Sequence, residues 1–114
     1  MLLFIVLNAP CCAQVAAERP GCTATLDTAK FDKSKPSRKY SVTVSWMPYQ
    51  GGINVRPQYA GDLGDAKDWR PAGSGWIALD YVANLYYLVT YGPGTGYTLF
   101  VSVPELGFDL CSWN

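Results

Sequence analysis

The segment Tyr40-Ser41-Val42-Thr43-Val44-Ser45-Trp46 decides the fold class, because polar and apolar side chains alternate along it. Alternation with a period of two residues is typical of a β-strand that buries one face and exposes the other. The pattern predicts that Val42, Val44 and Trp46 point into a core, while the hydroxyl side chains between them face solvent.

Short segments with strand character recur along the chain, separated by glycines, prolines and aspartates. They are residues 23–26, 53–55, 77–81, 86–89, 98–103 and 108–113. We expect the strand at residues 53–55 to stop before Pro57, and the Gly-rich residues 61–75 to form loops. No segment after residue 20 keeps a helical apolar period over three turns. About seven short strands predict an all-β fold, an immunoglobulin-like or fibronectin III-like antiparallel sandwich.

The composition excludes several classes of protein. The chain has 114 residues, the size of one domain, and its 49% of hydrophobic and 16% of charged residues exclude a disordered polyelectrolyte. Nine basic residues balance nine acidic ones, so the positive excess that nucleic-acid-binding proteins use against phosphates is missing. Histidine is absent, which excludes Ser–His–Asp and Cys–His catalysis and removes the commonest transition-metal ligand.

The chain divides into a short N-terminal segment, residues 1–21, and a sandwich, residues 22–114. The segment opens with Met1-Leu2-Leu3-Phe4-Ile5-Val6-Leu7. This apolar run is too short for a transmembrane helix, which needs about 20 residues. Two interpretations stay open, namely a secretory signal peptide that ends at Ala13 or Ala17, or a first strand that serves dimerisation.

Cys22 and Cys111 stand at the start and the end of the predicted sandwich. First and last strands often run side by side in this architecture, so the two thiols can come within disulfide distance. Two buried free thiols are the alternative. Cys11 and Cys12 are adjacent and do not readily bridge each other, and cleavage of the opening would leave an even pair, as in a secreted protein.

Pro93-Gly94-Thr95-Gly96-Tyr97 precedes an alternating strand and resembles the Pro-x-Thr-x-Tyr corner of fibronectin type III domains. In that corner the tyrosine hydroxyl caps backbone groups, so Tyr97 is expected to bond buried backbone. Trp46 ends an early strand, where those domains place their core tryptophan. Tyr91 stands where they have a leucine.

Four aspartates cluster in sequence around two tryptophans. They are Asp62, Asp65, Asp68 and Asp80, around Trp69 and Trp76. Two carboxylates that flank a glycosidic bond suffice for a glycosidase, but aspartates in Gly-rich turns are the ordinary explanation. The spacing of an EF-hand is absent, and so is any Cys-x-x-Cys pair, so neither calcium nor zinc is expected. The sequence predicts no enzyme, no metal site and no cofactor.

The aromatic content favours binding instead. Trp69, Trp76 and Trp113, together with eight tyrosines, exceed what one core of this size needs. Aromatic faces stack on sugar rings, and Asp, Asn and Gln side chains bond sugar hydroxyls, so such a surface suits a carbohydrate or a protein.

Leu26-Asp27-Thr28-Ala29-Lys30-Phe31-Asp32-Lys33, with Tyr40 seven residues later, resembles the Ile-Asp-Thr-x-x-Phe-x-Lys motif of the fungal immunomodulatory proteins. Further similar motifs follow in the order of that family. They are Val55-Arg56-Pro57-Gln58-Tyr59-Ala60, Leu79-Asp80-Tyr81, Tyr91-Gly92, and Phe108 with the closing Trp113-Asn114. The resemblance covers residues 26–114.

The resemblance implies a fibronectin III-like sandwich that dimerises through its N-terminal segment. It implies lectin-like binding of cell-surface glycans and stimulation of immune cells, with no enzymatic activity. Matched to the motifs of the family, the carbohydrate-binding residues are Asp27, Thr98, Leu99 and Trp113. The Trp-Gly-Arg-Gly region that supplies the other contacts in the family is missing here. The alternative function is a secreted fibronectin III-like module that binds a protein.

The orientation of Trp113 follows from alternation in the last strand. Phe108, Leu110 and Ser112 share one face, while Cys111 and Trp113 share the other. We expect Leu110 to point inward and Trp113 outward, toward a ligand. The competing arrangement points Cys111 inward, toward Cys22, and carries Trp113 into the core.

Overall fold

The structure, a computed structural model, describes residues 17–31, 33–34, 38–59 and 68–114. The apolar opening with its two interpretations, and Cys11, Cys12, Asp62 and Asp65, lie outside these residues. Eight strands form within them: β1 (Arg19–Asp27), β2 (Lys39–Tyr49), β3 (Gly52–Tyr59), β4 (Arg70–Pro71), β5 (Ile77–Asp80), β6 (Leu85–Gly92), β7 (Gly96–Val103) and β8 (Gly107–Trp113). One turn of 3-10 helix follows β1, and the described residues contain no helix long and apolar enough to cross a membrane.

The strands form two antiparallel four-stranded sheets that enclose one core. The first sheet has the order β1-β2-β3-β4 and the second the order β5-β6-β7-β8. The predicted all-β antiparallel sandwich is therefore confirmed. Each sheet is a meander of strands that are consecutive in sequence, whereas immunoglobulin and fibronectin III sandwiches connect their strands as Greek keys.

Alternation along the strands builds the core. Val42 and Val44 are fully buried and Trp46 is half-buried, as predicted. Both sheets contribute the other buried apolar side chains: Ala24, Leu26, Tyr40, Ile53, Val55, Tyr59, Leu79, Leu85, Tyr87, Val89, Leu99, Val101 and Val103. Removal of this apolar surface from water is the main favourable contribution to folding.

β3 runs through Pro57 to Tyr59, so the expectation that this strand stops before Pro57 is wrong. Pro57 is buried and pairs with Val44 of β2. A proline has no N–H for a second neighbouring strand and is therefore confined to strand edges. The short β4 pairs only with Asn54 and Val55, so among the described strands Pro57 has a neighbour on one side alone. β4 itself lies where we expected loops.

A disulfide joins the edge strands of the two sheets. Cys22 of β1 and Cys111 of β8 are bonded, with their Cα atoms 6.0 Å apart, which confirms the predicted bridge. Beside it, the Thr25 backbone N–H donates to an Asp109 carboxylate oxygen at 3.0 Å. The register of β1 against β2 shifts between Pro20 and Thr23, so a bulge interrupts this ladder in the segment that contains Cys22. The two sheets therefore meet along β1 and β8.

The disulfide also fixes which face of β8 is buried. The pairing of β8 with β7 has no register shift, so strict alternation holds along the strand. Cys111 and Trp113 face the interior and pack against the core, while Leu110 is 46% exposed. The expectation of an inward Leu110 and an outward Trp113 is wrong, because the bridge to Cys22 holds Cys111 inward and Trp113 shares its face.

The segment that resembles a tyrosine corner is a hairpin loop between β6 and β7. Gly92 pairs with Gly96, and the Thr95 backbone N–H donates to the Gly92 carbonyl at 3.0 Å. Gly96 has a φ of 74°, and a side chain at this position would overlap the Trp113 backbone. Only glycine meets both demands.

The Tyr97 ring packs among other aromatic rings. It stacks on Trp46 with ring centroids 6.5 Å apart and on Trp113 at 5.6 Å, and it contacts Tyr91 at 4.9 Å. Tyr91, Tyr97 and Trp113 are direct neighbours across β6, β7 and β8, whereas Trp46 belongs to the other sheet. The Tyr97 side chain makes these ring contacts, and its hydroxyl makes no hydrogen bond to the backbone of the described residues. The expected corner bond is therefore not formed.

Removal of the disulfide should destabilise the protein strongly. The bridge closes a loop with a sequence separation of 89 residues. The double substitution Cys22→Ala/Cys111→Ala should lower the free energy of unfolding by about 4 kcal/mol, mainly because the unfolded chain gains freedom. Urea unfolding of the variant and of the oxidised protein measures the difference. Equal urea midpoints and equal slopes for the variant and the oxidised protein would show that the disulfide does not stabilise the fold.

Tyr97 should stabilise the protein through its ring and not through its hydroxyl. We expect Tyr97→Phe to change the free energy of unfolding by less than about 0.5 kcal/mol. Tyr97→Ala should lower it by about 3 kcal/mol, because the ring leaves a cavity between the sheets. Thermal and urea unfolding measure both variants. A loss of about 1 kcal/mol or more in Tyr97→Phe would point to a buried hydrogen bond of the hydroxyl.

Candidate functional site

A cleft of about 590 Å³ opens at the end of the sandwich where β2 and β6 finish. We call it the tyrosine cleft. Its lining residues are Tyr49, Gln50, Gly51, Gly52, Ile53, Pro71, Ala72, Gly73, Tyr91 and Tyr97. The size lies within the range of about 300–1,000 Å³ that is usual for small-molecule sites.

The first wall of the tyrosine cleft is the hairpin turn between β2 and β3. Tyr49 pairs with Gly52, which leaves Gln50 and Gly51 as the two turn residues, with φ of 45° and 80°. Positive φ at both positions is the signature of a type I′ turn, whose twist matches that of the flanking strands. The turn therefore holds the Tyr49 ring and the Gln50 amide at the end of the sheet.

The second wall is the turn after β4, which bridges the two sheets. The Ala72 backbone N–H donates to the Ile53 carbonyl of β3 at 3.0 Å, and the Gly73 N–H donates to the Val89 carbonyl of β6 at 2.9 Å. Each sheet thus receives one backbone hydrogen bond from adjacent residues of a single turn. This wall is consequently fixed relative to both sheets.

The third wall is aromatic and comes from β6 and β7. Tyr91 is 63% exposed and Tyr49, which lines the cleft from the first sheet, is 43% exposed, while Tyr97 is half-buried. Trp46 supports the wall from behind through its stacking on Tyr97 and donates its indole N–H to the Pro20 carbonyl at 3.2 Å. The exposed Tyr91 ring therefore contacts Tyr97, which packs against the core with Trp46.

The polar groups of the tyrosine cleft are uncharged and free to bond a ligand. None of the lining residues carries a charged side chain. The side chains of Tyr49, Gln50 and Tyr91 make no hydrogen bond to another described residue. The glycines of the two turns leave backbone exposed at the rim. Chemically, the cleft offers aromatic faces, phenol hydroxyls, one amide and peptide groups, which suits a neutral ligand.

The four predicted carbohydrate-binding residues do not form one site. Asp27 accepts a hydrogen bond from the Ala29 backbone N–H at 3.0 Å and caps the 3-10 turn. It lies at the end of β1 opposite to the end near Trp113, because β1 and β8 run antiparallel through the disulfide. Thr98 bonds the Ser112 hydroxyl at 3.0 Å on the outer face of the second sheet.

Leu99 is fully buried in the core, so its side chain cannot contact a ligand, and its assignment as a carbohydrate-binding residue is corrected accordingly. Trp113 is half-buried, and its indole N–H is buried without a hydrogen-bond partner among the described residues. Since Trp113 stacks on Tyr97, it stands behind the tyrosine cleft and supports it indirectly. A role for Asp27 and Thr98 in carbohydrate binding stays a prediction.

Two of the aspartates proposed for a glycosidase, Asp68 and Asp80, are described by the structure, and they lie in different surroundings. Asp80 accepts hydrogen bonds from the Val82 and Ala83 backbone N–H groups at 2.9 and 3.1 Å, the ordinary use of an aspartate in a turn. Asp68 lines a cavity of about 110 Å³ together with Arg70 and Tyr87.

Tyr87 is the buried titratable group beside that cavity. Burial raises the pKa of the Tyr87 phenol above its usual value, and the Arg70 guanidinium offsets part of the rise. The phenol therefore stays neutral through the ordinary pH range. Across the described part of the chain, no group of His, Cys, Asp or Glu side chains has the arrangement of a metal site.

The lining residues Tyr49, Gln50 and Tyr91 were not among the candidates that the sequence supplied. The pair Gly51-Gly52 between two alternating segments is a local turn signal. No sequence pattern, however, places this turn next to residues 71–73 and Tyr91, because the contact depends on how the sheets pack.

Trp113→Ala should lower the melting temperature strongly, since Trp113 packs against the core and stacks on Tyr97. Truncation of a packed tryptophan lowers the free energy of unfolding by about 3 kcal/mol or more. Thermal melting measures this loss, and red-cell agglutination is recorded on the same samples. An unchanged melt with lost agglutination would instead place Trp113 in the ligand surface.

Comparison with known proteins finds no match to this chain among protein-family models, curated proteins or solved structures. The resemblance to fungal immunomodulatory proteins therefore stays a prediction. The function is argued below from the tyrosine cleft and its chemistry.

Proposed function

We propose that this chain is a non-enzymatic, lectin-like protein that binds cell-surface glycans through the tyrosine cleft. The observation that carries the proposal is the pair of exposed rings, Tyr49 of the first sheet and Tyr91 of the second, that line one cleft of about 590 Å³. Rings from both sheets support Tyr91 through its contact with Tyr97.

The chemistry of the cleft matches a sugar ring. The C–H face of a pyranose is apolar and packs on a tyrosine face, while its hydroxyls need hydrogen-bond donors and acceptors at the edge. Phenol hydroxyls, the Gln50 amide and exposed turn backbone supply both. The absence of charge in the lining favours a neutral glycan over a phosphate or another anion.

The proposal extends to a secreted protein that stimulates immune cells. The disulfide between Cys22 and Cys111 is typical of proteins that fold in an oxidising compartment, where cell-surface glycans are also displayed. Stimulation of immune cells and a homodimer through residues 1–21 rest on the family resemblance alone. They are retained as parts of the proposal that a cell assay and a sedimentation experiment test.

A second candidate function, a module that binds a protein, has one observation in its favour. Four apolar side chains are strongly exposed on the second sheet and its first hairpin loop: Tyr81 at 83%, Val82 at 99%, Phe108 at 55% and Leu110 at 46%. Contiguous exposed apolar side chains are common at protein interfaces, and Phe108 and Leu110 share one face of β8.

The double substitution Tyr49→Ala/Tyr91→Ala should weaken glycan binding at the cleft by about tenfold or more, a loss of about 1.4 kcal/mol or more. A glycan array with the wild-type protein selects neutral oligosaccharides. Titration of the ¹⁵N-labelled protein then follows the amide signals of Gly51 and Gly73, which report on the cleft itself. Because both rings are exposed, the variant should keep the melting temperature of the wild type.

Tyr81→Ala serves as the matched control, since Tyr81 is an exposed tyrosine outside the cleft lining. It should bind as the wild type does. Binding to cells that survives enzymatic removal of their glycans, with no oligosaccharide shifting the cleft amides, would overturn the proposal and favour a protein partner.

A further inference from the structure

A second pocket lies on the outer face of the second sheet, away from the tyrosine cleft. It has a volume of about 530 Å³ and is lined by Trp76, Asn84, Tyr86, Ser102 and Pro104. We call it the outer pocket. The Trp76 indole is 51% exposed, so a ligand can reach its face.

Strand pairing holds two members of the outer pocket side by side. Tyr86 of β6 and Ser102 of β7 are direct partners, and both point outward because their neighbours Tyr87, Val101 and Val103 are buried inward. Trp76 directly precedes β5 and Pro104 directly follows β7. β5 and β7 run in the same direction, so these two residues approach the Tyr86–Ser102 pair from opposite strand ends.

Asn84 reaches the outer pocket from the loop between β5 and β6. It has a φ of 57°, a left-handed conformation that asparagine tolerates better than most residues. The Asp80 carboxylate holds the start of this loop through the Val82 and Ala83 backbone N–H groups. The Asn84 amide is therefore positioned by the backbone and not by a side-chain contact.

The polar groups of the outer pocket are unused within the described part of the chain. The Asn84 amide, the Tyr86 hydroxyl and the Ser102 hydroxyl form no hydrogen bond to another described residue. They surround an exposed indole and a tyrosine ring, and no charged side chain lines the pocket. An uncharged ring with hydroxyl groups, as in a saccharide, satisfies these groups and covers the aromatic faces.

The outer pocket and the tyrosine cleft face different directions. On β6, Tyr91 belongs to the series that faces the other sheet and Tyr86 to the series that faces away from it. Five residues separate the two tyrosines along an extended strand, which corresponds to about 17 Å. A single disaccharide cannot bridge such sites, but two glycan chains on different cells can occupy them together.

We propose that the outer pocket is a second saccharide site and that each chain can cross-link glycans through its own two sites, independently of dimerisation. This inference rests on the proposed function, because cross-linking also requires the tyrosine cleft to bind a saccharide. Two weak sites on one molecule raise the avidity for a surface that displays many glycans. A substitution that removes one of the two sites should abolish cross-linking, while binding of glycan at the other site remains.

The test uses the full chain, ¹⁵N-labelled, titrated with lactose, maltose, cellobiose and N,N′-diacetylchitobiose. The indole N–H signal of Trp76 reports on the outer pocket, and the amides of Gly51 and Gly73 report on the cleft. We expect one disaccharide to shift both the Trp76 indole signal and the Gly51 and Gly73 amide signals. It should bind with a stoichiometry of about two per chain. Trp76→Ala and Asn84→Gly should each reduce the stoichiometry to about one, and Asn84→Gly keeps the backbone unstrained because glycine accepts a positive φ.

Cross-linking is measured with beads that carry the same disaccharide, at a protein concentration low enough that sedimentation detects monomers alone. Trp76→Ala should bind single beads but no longer aggregate them, whereas Phe108→Ala, an exposed aromatic outside the pocket lining, should aggregate them normally. Shifts of the cleft amides without any shift of the Trp76 signal would overturn the second site and leave the proposed function standing. If neither the Trp76 signal nor the cleft amides shift, both the second site and the proposed function are overturned.

Discussion

The bond between Cys22 and Cys111 is the constraint on which the arrangement of the two sheets depends. Each sheet is a meander, so β1 and β8 end as unpaired edges, and edges of this kind invite pairing with other chains. The disulfide and the Thr25–Asp109 hydrogen bond bring these two edges together. The remaining outer strands, β4 and β5, are only two and four residues long, which limits their capacity to pair.

The same bond has a second consequence at the end of the sandwich. Since Cys111 must face β1, alternation places Trp113 on the inner face of β8, where it stacks on Tyr97. Gly21 makes room for this arrangement, because a side chain there would collide with the Val44 backbone and lie against the Trp113 ring. A covalent link in the middle of two strands thereby determines which rings stand behind the tyrosine cleft.

The sequence predicts those parts of the structure that local patterns encode. Val42 and Val44 are buried as expected because burial of one strand face leaves a period of two in the sequence. The prediction that a strand stops before Pro57 was wrong, because the effect of a proline depends on whether a neighbouring strand needs the missing N–H. That is decided by the tertiary structure and not by the local sequence. The orientation of Trp113 likewise depended on a choice between two registers that only the disulfide resolves. The tyrosine cleft was beyond local patterns altogether, because its walls come from turns about 20 residues apart along the chain.

The tyrosine cleft forms at the end of the sandwich, where the inward-facing series of β6 continues beyond its last buried residue. On β6 the inward series consists of Leu85, Tyr87 and Val89, all buried, and ends with Tyr91, which is mostly exposed. The next layer inward from this end is made of the rings of Tyr97, Trp46 and Trp113, which keep water out of the core while supporting the cleft. Substitution of the supporting rings would therefore change both the stability of the sandwich and binding at the cleft. Substitution of Tyr91 or Tyr49 would change binding while leaving stability in place. Because the exposed rings contribute little to the core, selection can change them to suit a ligand while the sandwich that carries them stays intact.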